Sequence, residues 1–94
     1  MISDAATVAI APDVLASELG AEFVMLSLKD GIYYGLDEVG GRVWKLAQTQ
    51  VTVREICQAI TEEYDVEHER CRRDVLNLLA DLLTRGLIEV RDPA

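Results

Sequence analysis

The sequence predicts an α+β fold in which a small antiparallel sheet of three strands is followed by three α-helices. Up to Leu36, the chain contains short apolar runs rich in β-branched and aromatic residues. Asp30-Gly31, a strong turn signal, separates two of these runs. After Leu36 the apolar residues recur at helical spacing, as in Val53, Ile56 and Ile60. Strands followed by three helices in this order are typical of a winged helix-turn-helix domain.

Four segments are predicted strands. Residues 8–10 and Val14–Leu19 are short apolar runs that end at Pro12 and Gly20. Residues 23–29 and Ile32–Leu36 form a hairpin, with Asp30-Gly31 as a two-residue type I′ turn.

Both faces of this hairpin are apolar, although a sheet packed on one side alternates apolar with polar residues. The second face is therefore covered by another part of the chain or is reserved for a partner. One face carries Phe23, Met25, Ile32, Tyr34 and Leu36. The other carries Val24, Leu26, Leu28 and Tyr33.

Capping residues mark the three helices. Asp37 is a suitable N-cap for the first helix, and Gly40-Gly41 in its first turn indicates close packing on the hairpin. Residues 52–55 fit a capping box for the second helix, which ends near residues 64–65. The third helix runs from about residue 67 to about residue 85 and ends at Gly86. Residues 87–90 are a candidate final strand.

Composition limits the classes of function. The chain has 94 residues and a net charge of −8, with 9 basic against 17 acidic side chains, which disfavours binding to nucleic-acid phosphates. We expect one domain over residues 1–94, with an ordered core from about residue 8 to about residue 91. The sequence has neither a signal peptide pattern nor a membrane-spanning apolar run, so the expected location is the cytoplasm.

The sequence offers no constellation for catalysis. His68 is the one imidazole and lies among charged residues at a helix start. Glu62-Glu63 has no apolar surroundings that would raise a carboxyl pKa. Cys57 and Cys71 occupy apolar helix positions, where we expect buried thiols. We therefore expect no enzyme, no metal and no cofactor.

Recognition of a peptide remains, because an edge strand presents unpaired backbone groups to which a second chain can add a strand. Ile32–Leu36 is short and apolar and is not blocked by Pro or Lys. The third helix is the expected opposite wall, with Arg70, Asp74, Asn77 and Asp81 about one turn apart. The alternative is that the two tyrosines of the strand are ordinary half-buried sheet residues.

The run from Tyr33 to Trp44, with the sequence YYGLDEVGGRVW, resembles the PqqD-like family. The resemblance resumes at residues 52–56, 63–66 and 74–88, and covers roughly residues 22–90. Members of this family are recognition domains for the precursors of ribosomally synthesised, post-translationally modified peptides. Its first eight residues, YYGLDEVG, look most like the stand-alone members that serve lasso peptide biosynthesis.

The resemblance implies a winged helix-turn-helix fold without catalytic activity. The leader segment of a precursor would be added as a strand between Ile32–Leu36 and the third helix. The domain would then deliver the precursor to a separate, cysteine protease-like leader peptidase, and a cyclase would act afterwards. Two departures, Asp37 for a frequent Asn and Glu67-His68 for a frequent Asp-Pro, are expected to affect helix starts rather than the groove. The expected peptide-binding residues are Ile32, Tyr33, Tyr34, Gly35, Leu36, Arg70, Cys71, Asp74, Val75, Asn77 and Leu78.

Three alternatives stay open at this point. The first is a pyrroloquinoline quinone-type chaperone that presents its peptide to a radical enzyme. The second is a winged-helix transcription regulator, and the third is a structural subunit of a larger enzyme. The acidic composition disfavours the transcription regulator, because a DNA-reading helix presents Lys and Arg.

Overall fold

The computed structural model describes residues 2–20 and 22–92. The expected domain also includes Met1, Ala21, Pro93 and Ala94, which lie outside the described residues. The elements, in chain order, are β1 (Thr7–Ile10), β2 (Val14–Leu19), β3 (Glu22–Ser27), β4 (Ile32–Leu36), α1 (Glu38–Ala47), β5 (Val51–Thr52), α2 (Val53–Glu63), α3 (His68–Thr84) and β6 (Ile88–Arg91).

The strands form two antiparallel sheets of three strands each. The hairpin sheet has the order β2-β3-β4, and the terminal sheet has the order β5-β1-β6. The hairpin sheet and the three helices confirm the predicted α+β architecture, and the arrangement is consistent with a winged helix-turn-helix domain. The terminal sheet was not expected, because it pairs β1 with β6 from opposite ends of the sequence.

The predicted two-residue turn at Asp30-Gly31 is wrong. Ser27 pairs with Ile32, so a four-residue loop over residues 28–31 connects β3 and β4. Only Gly31 of the two turn residues has a positive φ, of 70°, whereas a type I′ turn needs two. The Gly31 N–H donates to the carbonyl oxygen of Ser27 at 2.7 Å. The register differs from the predicted one by two residues, so the residues within β3 and β4 keep their predicted faces. The predicted strand over residues 23–29 is too long, because Leu28 and Lys29 lie in the loop.

The helix ends follow the predicted capping chemistry. Asp37 Oδ1 accepts a hydrogen bond from the Gly40 N–H at 2.8 Å. Thr52 and Glu55 form both bonds of the capping box at the start of α2. At the end of α3, the Leu87 N–H donates to the Leu82 carbonyl while Gly86 adopts a φ of 74°, which is the Schellman arrangement.

The core lies between the helices and one face of each sheet, with Trp44, Met25 and Leu79 among its largest fully buried side chains. The glycines of α1 permit close packing on β3, as expected. A Cβ atom on Gly41 would lie 2.7 Å from Cδ2 of Phe23. Without that Cβ atom, α1 packs directly against the inner face of the hairpin sheet.

The packed part of the described chain begins before residue 8, although the ordered core was expected to start at about that residue. Ala6 is fully buried, and its carbonyl oxygen accepts the Val53 N–H at 3.0 Å. The Asp4 carboxylate accepts a hydrogen bond from Arg72 Nε at 2.9 Å. These contacts join the N-terminal segment to α2 and α3.

Candidate peptide-binding groove

The strand β4 is an edge of the hairpin sheet, since its one paired neighbour among the described strands is β3. Its first two side chains are the most open, with Ile32 49% and Tyr33 69% exposed. Tyr34 and Leu36 are half-buried and pack against the core. The strand therefore combines a fixed inner face with a free backbone edge.

A groove of about 710 Å³ lies between the C-terminal part of β4, the first turn of α1 and one face of α3. Its walls also include residues near the end of α2. The lining residues are Gly35, Leu36, Asp37, Val39, Gly40, Val43, Ile60, Val66, Arg70, Cys71, Asp74, Val75, Leu78 and Asp81.

One stripe of α3 forms the wall opposite β4. Arg70, Asp74, Leu78 and Asp81 follow each other at intervals of three or four residues, which places them on one helix face. Cys71 and Val75 lie deeper and are buried. The wall therefore has apolar residues at its base and charged residues along its exposed edge, which is called the upper rim below.

The floor of the groove is apolar. Val43, Ile60 and Val75 are buried at its base, whereas Val39 is 38% and Val66 44% exposed at its sides. Water in contact with these side chains would be displaced by an apolar group of a ligand, which favours binding in proportion to the area covered.

Most of the expected site residues are brought together here, and some are not. The residues that line the groove are Gly35, Leu36, Arg70, Cys71, Asp74, Val75 and Leu78. Ile32, Tyr33 and Tyr34 lie earlier on β4, outside the lining. Asn77 is exposed and also lies outside it.

Sequence reasoning did not assign all of the lining to the site. It missed Asp37, Val39, Gly40, Val43, Ile60 and Val66, and it placed Asp81 on the α3 wall without counting it among the expected peptide-binding residues. Val39 and Val43 did carry a signal, since they share one face of α1. Asp37 had been expected to affect only a helix start, which is wrong because it also lines the groove.

Arg85, just after α3, joins the two walls beyond the groove. Its guanidinium carbon lies 5.1 Å from the centre of the Tyr34 ring, within the range of a cation–π contact. Its Nε donates to Asp81 at 3.1 Å, and this bond raises the pKa of Arg85. The sequence analysis did not single out Arg85.

The cysteines are buried, as expected, with Cys57 3% and Cys71 4% exposed. Burial raises the pKa of Cys57 to about 11 and also raises the pKa of Cys71, which lies at the base of the groove. Cys71 Sγ donates to the Cys57 carbonyl oxygen at 3.9 Å. Thiols held in the neutral form are poor nucleophiles, which fits a packing role.

The second face of the hairpin sheet is not covered by the described chain. Leu26 pairs with Leu15 on one side and with Tyr33 on the other, so all three side chains share this outer face. Leu15 is 57%, Leu28 55% and Tyr33 69% exposed. Of the two explanations for the apolar second face, the structure excludes coverage by residues 2–20 and 22–92.

Two further properties bear on the class of site. Within the described residues, no three His, Cys, Asp or Glu side chains are grouped so that they would hold a metal ion. No helix in residues 2–20 and 22–92 combines the length and apolar character needed to cross a membrane.

A family model described as "Coenzyme PQQ synthesis protein D (PqqD)" matches residues 22–88. The chain belongs to the PqqD family. The PqqD match includes both walls of the groove, because it extends from β3 through α3. A comparison with curated proteins returned no match.

Two solved structures resemble this PqqD-family chain along most of its length. "TbiB1 in Complex with the TbiA(beta) Leader Peptide" aligns with a TM-score of 0.81 and 36% identity, covering 86% of this chain and 94% of the other. "Lasso peptide synthetase B1 complexed with the leader peptide" aligns with a TM-score of 0.79 and 21% identity, covering 87% and 96%. The second likeness concerns the fold alone.

Proposed function

We propose that this chain is a non-catalytic adaptor that binds the leader region of a ribosomally synthesised precursor peptide and delivers it to a leader peptidase in lasso peptide biosynthesis. The observation that carries the proposal is a free edge of β4 beside an apolar groove whose other wall is α3. An extended segment there gains backbone hydrogen bonds from the strand and places side chains in the groove.

The position of the groove favours β4 over the other edge of the hairpin sheet. The cavity beside β2 is smaller, at about 210 Å³, and charged residues make up much of its lining. Glu18 on β2 also pairs with Lys45. An added strand at β2 would find no comparable apolar cavity, so β4 is the better docking edge.

The similar structures support the choice of ligand. TbiB1, which is 36% identical to this chain, is in complex with the TbiA(beta) leader peptide. Since the likeness covers 94% of that protein, a leader peptide is the ligand class that we infer for this chain.

The outer face of the hairpin sheet supports the delivery step. Leu15 and Tyr33 form an exposed apolar surface on the same sheet that would hold the leader, and Leu28 in the loop after β3 is exposed as well. Exposed apolar surfaces of this kind are typical of protein–protein contacts. We assign it to the peptidase, which would then lie against the sheet that carries its substrate, in the cytoplasm.

A second candidate is favoured by the description of the family model, which names coenzyme PQQ synthesis. In that case the same groove would hold a different precursor and present it to a radical enzyme. The two candidates share the binding mode and differ in the partner. The genes beside this one distinguish them, since a peptidase and a cyclase belong with the first and a radical enzyme with the second.

The binding mode is tested with a fluorescently labelled synthetic leader from the precursor encoded beside this gene, measured by anisotropy. Tyr33→Pro and Tyr34→Pro are compared, because successive residues of a strand direct their N–H groups to opposite sides. One of the two prolines removes a donor from the free edge and the other removes one from the β3 ladder.

The expected result is that the variant with wild-type unfolding behaviour loses leader binding by at least about tenfold, which corresponds to ~1.4 kcal/mol. Circular dichroism during thermal unfolding identifies that variant. Wild-type affinity in a fully folded edge variant would contradict strand addition.

The delivery step is tested separately with the purified peptidase. Leu15→Ser and Leu28→Ser should weaken peptidase association while leader affinity stays unchanged, because both residues are exposed and lie outside the groove. Leu83→Ser is the matched control, since Leu83 is a 41% exposed leucine on α3. Equal peptidase affinity of all three variants would exclude this surface.

A further inference from the structure

The upper rim of the groove has more carboxylates than guanidinium groups. Asp37, Asp74 and Asp81 line it, together with the single cation of Arg70. These charges lie above an apolar floor and beside a free strand edge, which independently mark a peptide-binding site. The groove therefore has an electrostatic preference in addition to its apolar one.

Two of the three carboxylates, those of Asp37 and Asp74, are not held in a close ion pair. Asp81 is neutralised by Arg85, whose Nε lies 3.1 Å away. The Arg70–Asp74 pair spans 3.9 Å between side chains that are 73% and 67% exposed, so it contributes little and is readily exchanged. Asp37 has no ion-pair partner among the described residues, and only its Oδ1 is used, as the cap of α1.

We propose that the leader segment carries a Lys or Arg side chain that binds between Asp37 and Asp74. This inference rests on the proposed function and specifies the ligand further. Asp37 belongs to the β4–α1 wall and Asp74 to the α3 wall, so the two walls of the groove each supply one carboxylate. The net charge of −8 adds a general attraction for basic peptides.

The apolar sides of the groove suit the stem of such a residue. Lys and Arg carry three or four methylene groups below the charge, and these groups pack well along apolar surfaces. Val39 of α1 and Leu78 of α3 are apolar lining residues from the two sides of the groove. A charge between apolar walls is also less screened than one on an open surface.

The test uses a display library of random dodecapeptides selected on the immobilised full-length protein. Counter-selection on Leu78→Trp, whose indole fills the groove, removes peptides that bind elsewhere. The surviving peptides should contain Lys or Arg next to a bulky apolar residue more often than the starting library. A selected peptide is then synthesised with its basic residue and with Gln at the same position.

The protein variants remove charge without removing the helix cap. Asn caps a helix about as well as Asp, so Asp37→Asn/Asp74→Asn changes little besides the charge. We expect this double variant to bind the Lys or Arg peptide about 5- to 10-fold more weakly at low salt and the Gln peptide unchanged. Asp13→Asn/Asp65→Asn is the control with the same net charge, because neither residue lines the groove.

Each outcome has a distinct meaning. Enriched peptides without basic residues, or equal losses in the two double variants, would overturn the charge inference and leave peptide binding intact. A library that yields no peptide sensitive to Leu78→Trp would overturn peptide binding in the groove itself.

Discussion

The two sheets of this protein have the same number of strands and opposite roles. In the terminal sheet, Val8 is fully buried and Ile88 is 3% exposed, so its side chains fix the core. In the hairpin sheet, every residue of β2 after Val14 is exposed, and β4 has one free edge. Burial stabilises the fold, whereas a binding surface has to leave apolar groups and backbone donors unsatisfied until the ligand arrives.

Two isoleucines, one from each sheet, should differ most in their contribution to the free energy of unfolding. Ile88→Ala in the terminal sheet should lower the free energy of unfolding by about 2–5 kcal/mol, because it leaves a cavity in the core. Ile32→Ala on β4 should cost less than about 1 kcal/mol, since Ile32 is already 49% exposed. Urea denaturation of both variants measures this contrast, and equal losses would show that β4 is as structural as β6.

Two glycines test how the hairpin sheet is attached to the helices. Gly41→Ala should destabilise the protein by about 1–3 kcal/mol, because its Cβ atom would lie 2.7 Å from the Phe23 ring. Gly35→Ala on β4 should change stability by less than about 0.5 kcal/mol, because no atom lies within 4 Å of the new Cβ position. Thermal unfolding distinguishes the two variants. An unchanged unfolding temperature for Gly41→Ala would mean that α1 is free to move away from β3.

Alkaline titration reports on the buried thiol of Cys57, which lines a second cavity together with Asp4. Burial raises the pKa of Cys57 from an ordinary value of about 9 to about 11 in the folded protein. The folded state thus binds the proton more tightly, so this contribution is complete below about pH 9 and is lost as the pH rises towards 11. Between pH 8 and pH 11, the wild type should lose about 2 kcal/mol more stability than Cys57→Ala, and parallel urea-denaturation profiles for the two proteins would contradict this.

The smallest expected effect concerns the link between the two walls of the groove. Arg85→Ala should lower stability slightly, since it removes an exposed cation–π contact with Tyr34. Arg73→Ala, at an exposed position of α3, is the control and should have little effect. Calorimetry compares the two, and a similar result for both would mean that Arg85 does not join the walls.

Local chemistry made much of the fold predictable. The Asp37 cap, the Thr52–Glu55 capping box and the Gly86 helix end each depend on residues within a few positions of one another. The strand Ile32–Leu36 was predicted with its observed bounds. The turn before it was not, because Asp30-Gly31 suits several loops, and the packing of the sheet selects one of them.

The candidate site was predictable in part for the same reason. The α3 wall was predictable because helical spacing places Asp74 and Leu78 on one face, and the β4 wall because its strand was evident. Other lining residues were missed, since Val39, Ile60 and Val66 come from separate segments, and no local pattern shows that these segments meet.

By itself, the sequence determined the elements, their caps and the apolar character of both hairpin faces, because these depend on neighbouring residues and on side-chain periodicity. Only the tertiary structure decided that β1 pairs with β6, that the outer face of the hairpin stays open, and that Asp37 lines a groove as well as capping a helix. These features depend on contacts between segments that are far apart in the sequence. The packing of the whole chain decides which of these segments meet.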